Sequence, residues 1–132
     1  MDTKDIVEIE QLVALYGHAV DASDQSLLPL VFTEDAVWEN PGYSTPGVET
    51  THKGLRAICD FFALGIPPHS PTHQTTNVWV REESGETRVR SKWIAHPEQE
   101  KIWMGDYDDI VVRTPAGWRI KHRTVRMRFP QL

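Results

Sequence analysis

A chain of 132 residues, 39% hydrophobic and 25% charged, reads as one soluble globular domain able to bury roughly two-thirds of its unfolded surface. No apolar run approaches the about 20 residues that span a bilayer, and the polar, acidic start Met1-Asp2-Thr3-Lys4-Asp5 is unlike a secretory leader, so a cytoplasmic protein is expected. The net charge of −5 divides unevenly: residues 1–69 carry 11 acids and 3 bases (−8), and residues 70–132 carry 8 acids and 11 bases (+3). Those bases alternate with apolar residues in the manner of a solvated sheet face, with no aromatic and basic RNA-binding motif, so neither nucleic acid nor membrane is an expected partner. The one cysteine, Cys59, cannot form an internal disulfide, which fits a reducing compartment, and is most simply a packing residue.

The first predicted element is a helix over 6–24. Its apolar residues at 6, 9, 13, 16 and 20 follow the helical spacing, with Tyr16 inside the stripe and Asp21 at its margin. Asp24 offers an N-cap for a short helix over 27–32, and 36–40 reads as a brief strand. Pro41, Gly42, Pro46 and Gly47 mark 41–52 as a loop. A second amphipathic helix, 54–64, carries Leu55, Ile58, Phe61 and Phe62 on one face and is ended by Gly65 and Pro67-Pro68. From residue 72 the period changes to two, giving strands over 72–81, 87–96, 101–113 and 117–129, with turns at Gly85 and at 114–117. Helices followed by a meander predict an α+β fold, a curved antiparallel sheet with helices on one face and a pocket beneath them.

On the first of these strands His73, Thr75, Asn77 and Trp79 share one face. Polar side chains there need partners or a wet cavity, although a satisfied histidine at a strand end is an equally simple reading. A carboxylate such as Asp21, accepting a hydrogen bond from one imidazole nitrogen, would leave the other nitrogen free as a base. Tyr16 and Tyr107 could each donate a hydrogen bond to a substrate oxygen, or serve only as amphipathic core residues. The five tryptophans are mainly core, with Trp38 and Trp93 the candidates for lining an apolar pocket. There is no glycine-rich phosphate loop and no nucleophile elbow, and Pro71 between His69 and His73 removes the helical metal-ligand geometry. Cofactor-free chemistry without a metal is the expectation.

Leu15-Tyr16 followed by Asp21 and Asp24, then 32–38 (Phe-Thr-Glu-Asp-Ala-Val-Trp), Thr72-His73 with Asn77, Gly105-Asp106-Tyr107-Asp108-Asp109, Gly117-Trp118-Arg119-Ile120 and Arg123 occur in that order. Together they resemble the SnoaL-like group of the nuclear-transport-factor-2-like superfamily, over nearly the whole chain. The resemblance implies a cone-shaped α+β domain. It also implies a site like that of scytalone dehydratase, bile-acid 7α-dehydratase and hexachlorocyclohexane dehydrochlorinase, which use an aspartate from the end of the first helix with a sheet histidine. Asp21 and His73 match that pair, and Tyr16 matches a tyrosine of the bile-acid enzyme. Two positions depart from it. Val20 stands where scytalone dehydratase has a tyrosine, and the inward residues Ser91, Trp93 and Ala95 offer no counterpart to the bile-acid enzyme's additional acid.

The expected function is therefore a dehydratase-like lyase or an isomerase acting on a small apolar, cyclic substrate. His73 and Asp21 would be catalytic with Tyr16, and Asn77, Tyr107, Trp38 and Trp93 would contact substrate. The alternative is a non-catalytic binding or assembly module of the same fold. An outward apolar row of Val78, Val80, Ile102, Met104, Ile110 and Val112, unless a bulge flips them, predicts a homo-oligomer, most simply a dimer.

Overall fold

The computed structural model describes residues 1–42, 49–64, 72–97 and 100–130. Helix α1 spans Thr3–Asp21, followed by a short 3-10 helix Gln25–Leu30, β1 Phe32–Glu39, β2 Thr51–Lys53 and α2 Leu55–Ala63. Four strands complete the chain: β3 His73–Glu83, β4 Glu86–Ala95, β5 Trp103–Thr114 and β6 Gly117–Phe129. The six strands form one curled, unclosed sheet in the order β2-β1-β6-β5-β4-β3, and the fold is the expected α+β type. The four long strands make the predicted meander. The brief strand expected over 36–40 is β1, which starts earlier and extends the meander by running parallel to β6, and the unforeseen β2 pairs beyond it in the stretch read as loop. The expected helix end at Gly65 and Pro67-Pro68 lies outside the described residues.

Helix α1 begins before its apolar stripe because its first turn is fixed by polar groups. The Asp2 side chain accepts the Asp5 N–H (2.9 Å) while the Asp5 carboxylate accepts the Asp2 N–H (3.2 Å), a reciprocal cap. Asp5 also accepts the Trp118 indole N–H at 3.1 Å and pairs with Arg113, tying this end of the helix to the β5–β6 hairpin. The helix ends at Asp21 rather than 24, since Ser23 turns left-handed (φ 52°) and Asp24 caps the 3-10 helix through the Ser26 N–H (3.0 Å). Ile9, Leu12, Val13, Tyr16, Ala19 and Val20 are buried along one side of α1, which packs against β3 and β6. Each of the larger aliphatics contributes about 1.5–3 kcal/mol of burial.

One bulge rearranges the expected alternation on β3. Pairing with β4 is regular through Thr76↔Lys92 and resumes at Trp79↔Arg90, so Asn77 and Val78 together oppose Ser91, with Asn77 in the left-handed region (φ 55°). The shift turns Trp79 to the outer face, 58% exposed, and brings Val78 and Val80 against the core. Neither valine therefore joins the outward row. Exposed Ile102 and Met104, with half-buried Ile110 and Val112, remain away from the core.

Between those apolar residues the outer face carries two cross-strand charge rows. Arg90 and Arg126 both bond Asp108 (2.9 and 3.1 Å), and Lys92 and Arg128 both bond Asp106 (2.5 and 2.7 Å). Burial works against ionisation of Asp108, but Arg90 and Arg126 hold its carboxyl below the ordinary value near 3.8. A lowered folded-state pKa contributes stability that is complete above the unfolded value and is lost as pH falls through the folded one. Asp108→Asn should therefore cost up to about 1 kcal/mol at pH 7, these partners being half exposed, and less below about pH 3. Urea unfolding of both proteins at pH 7 and in acid checks this; an equal gap at the two pH values contradicts it.

Candidate functional site

Asp21 is the last residue of α1 and His73 the first of β3, and the fold brings the two ends together. Asp21 Oδ1 lies 2.5 Å from His73 Nδ1, and Asp21 Oδ2 accepts the backbone N–H of the same residue at 2.8 Å. One carboxylate thus grips ring and backbone at once. This fixes the imidazole orientation, places the ring proton on Nδ1 and leaves Nε2 as the acceptor. The His73 N–H also gives the Asp21 charge a donor, which offsets its unfavourable place at a helix C-terminus. Gly17, one turn earlier, packs against the start of β3, where a Cβ would sit in ordinary contact, 3.6 Å from the His73 carbonyl oxygen. The side chains are 20% and 14% exposed, so the pair is sheltered without being sealed.

Beside it stands an aromatic cluster. Tyr16 is buried, with ring contacts to Phe32, Phe62 and Tyr107 at centroid distances of 5.9, 6.1 and 5.5 Å. Its hydroxyl accepts the Trp38 indole N–H at 3.1 Å, which leaves the phenolic proton available for donation. Burial pushes the Tyr16 phenol above its ordinary value, with Arg123 and Trp38 opposing. Tyr107 is buried and stacked on Trp93 at 5.9 Å; burial and the neighbouring Tyr16 raise its phenol well above the ordinary value against the pull of Arg123. Both tyrosines are neutral donors at physiological pH. Trp93 is locked in turn by donating its indole N–H to the Asp106 carbonyl (3.2 Å) and by the absence of a side chain at Gly105, where a Cβ would come within 2.9 Å of the indole.

Of the expected contact residues, Tyr107, Trp38 and Trp93 join Tyr16 in this cluster. Asn77 does not, because the β3 bulge leaves it exposed. Two features escaped the sequence reading. The first is a buried ion pair: Arg123 Nε and Nη2 donate to the two Asp109 carboxylate oxygens at 2.8 and 2.7 Å, with both side chains fully enclosed. The guanidinium lies over the rings of Tyr107 (3.8 Å) and Tyr16 (4.1 Å). Burial works against its charge, yet Asp109 holds its pKa above the ordinary value. The second is His52 on β2, stacked on Phe61 at 4.1 Å and beside Trp38, with Nε2 buried and unpartnered. It fell in a stretch read as loop, and no periodicity signalled it.

A model of the SnoaL-like domain matches residues 1–124. The chain belongs to the SnoaL-like domain family. This SnoaL-like chain is 27% identical to an uncharacterized protein of Mycobacterium tuberculosis over 135 aligned positions, covering 99% of this chain and 90% of the relative. Among solved structures it is similar to a candidate aromatic ring hydroxylase from Novosphingobium aromaticivorans (28% identity, 98% of this chain and 93% of that one, TM-score 0.74). It also shares the fold of a hexachlorocyclohexane dehydrochlorinase from Novosphingobium barchaimii (18% identity, 93% and 86%, TM-score 0.76). No helix among the described residues is long and apolar enough to cross a membrane.

Proposed function

We propose that this protein is a cofactor-free lyase of the dehydratase type, or the corresponding isomerase, acting on a small apolar cyclic substrate. The observation that carries the reading is the two-point grip of Asp21 on His73, at 2.5 Å to the ring and 2.8 Å to the backbone. A binding module has no need of a histidine held in one tautomer with its second nitrogen free, so the contact favours catalysis over the non-catalytic alternative.

In this scheme His73 Nε2 takes a proton from a carbon made acidic by an adjacent carbonyl. The C–H electrons become the new double bond, and a hydroxyl or other leaving group departs from the neighbouring carbon, a hydroxyl leaving as water with the proton that the His73 imidazolium gives back. Asp21 stabilises the imidazolium that forms. Tyr107, or Tyr16 through the proton it does not share with Trp38, donates to the carbonyl oxygen as negative charge grows there. Trp38 and Trp93 form apolar walls for a ring system. In the isomerase variant the imidazolium returns its proton to a different carbon and nothing leaves. A thermal-shift screen of cyclic ketones and hydroxy-ketones should find ligands that raise Tm, and turnover of those ligands by the wild type but not by His73→Ala tests the assignment. Wild-type turnover by His73→Ala would sink it.

We further propose a homodimer that buries the exposed apolar residues Trp79, Ile102, Met104 and Phe129. Light scattering at micromolar concentration is expected to give twice the chain mass. Trp79→Glu combined with Met104→Glu should lower it to one; a wild-type monomer contradicts the proposal.

A further inference from the structure

The outer face of the sheet is not flat. Pairing of β1 with β6 slips between Phe32 and Val37, and pairing of β5 with β6 slips between Ile110 and Val111. These irregularities flank a groove of about 520 Å³ that shares no lining residue with the Asp21–His73 cluster. Its apolar surface includes Val37, Ile110 and Val112, and its volume lies in the range of small-molecule sites rather than that of a single ion.

Most of the charged groups around it are paired: Glu86 holds Arg88 (3.2 Å), Arg113 is held by Asp5, and His122 Nε2 faces Glu39 (3.3 Å), while Asp35 is satisfied by the Thr33 hydroxyl (2.8 Å). Lys121, exposed in the slipped segment of β6, has no anionic partner among the described residues. An apolar floor beside one unspent ammonium matches a ligand with an apolar body and a single negative charge. The lining acids Asp35 and Glu86 disfavour a dianion such as phosphate.

We propose that this groove is a second binding site, taking an amphiphilic monocarboxylate whose chain lies on Val37, Ile110 and Val112 and whose carboxylate meets Lys121. Calorimetric titration with decanoate below its micellar concentration, alongside NMR mapping, tests it. Saturable binding is expected, with amide shifts centred on Val37, Ile110, Val112 and Lys121. Lys121→Glu should weaken that binding at least tenfold and Lys121→Arg should restore it, while His73→Ala should leave it unchanged. Equal affinity for decanol would overturn the role of the charge. Loss of binding in His73→Ala, or shifts centred on Asp21, would show the ligand to be in the inner site instead and overturn the proposal. No saturable binding would do the same.

Discussion

Asp109→Ala is expected to destabilise the fold by about 3–5 kcal/mol, because it leaves a fully enclosed guanidinium without its counter-charge. At this chain length that corresponds to a fall in Tm of about ten degrees or more. Arg123 has little to fall back on. Nη1 already lacks a partner, and the Tyr16 and Tyr107 rings offer cation–π attraction of only about 2 kcal/mol even when dry. The double change Asp109→Leu with Arg123→Met removes both charges while keeping the volume, and should recover most of the loss. Thermal and urea melts of the three proteins separate the causes. If the double variant is no more stable than Asp109→Ala, the damage comes from lost packing and not from an orphaned charge.

The same pair explains why part of the site was illegible. The hairpin closes at Thr114↔Gly117, and an unbroken register from there would place Asp109 opposite His122, with Arg123 pointing to solvent. One extra residue on β6 between Ile120 and His122 instead sets Asp109 against Arg123 and turns Arg123 inward, to the face that Asp109 already shares with Tyr107 and Val111. Alternation alone therefore assigns Arg123 to the solvated face with the other bases. The β3 bulge did the same to Asn77, Val78, Trp79 and Val80, since one extra residue reverses the face of everything beyond it. By contrast Asp21 and His73 precede these irregularities. The α1 stripe fixes where Asp21 falls on the helix, and His73 opens β3 before its bulge, so both positions were legible from spacing, while their meeting was implied by the family resemblance. The α+β architecture was legible for a related reason: it depends on the periods of long elements, which a single slipped residue does not alter. Strand β2, only three residues within a Pro- and Gly-containing stretch, has too little pattern to be read, and His52 was hidden with it.

Asp21→Asn should reduce turnover by about a hundredfold or more with the fold intact, because it reverses the histidine tautomer rather than deleting the base. The asparagine oxygen can still accept the His73 backbone N–H, as Asp21 Oδ2 now does at 2.8 Å. Its amide nitrogen then occupies the place of Oδ1, 2.5 Å from Nδ1, where it is a donor and requires the ring nitrogen to accept. The ring proton moves to Nε2, and the lone pair that would take the substrate proton is gone. His73→Ala removes the base altogether but leaves Asp21 bound by the same backbone N–H, so its melting temperature should stay near that of the wild type. Because the two residues act as one unit, adding Asp21→Asn to His73→Ala should cost nothing further. Turnover of a ligand from the ketone screen, measured for the four members of this cycle, decides it: wild-type activity in Asp21→Asn, or full additivity of the two losses, would mean that the aspartate does not act through the histidine.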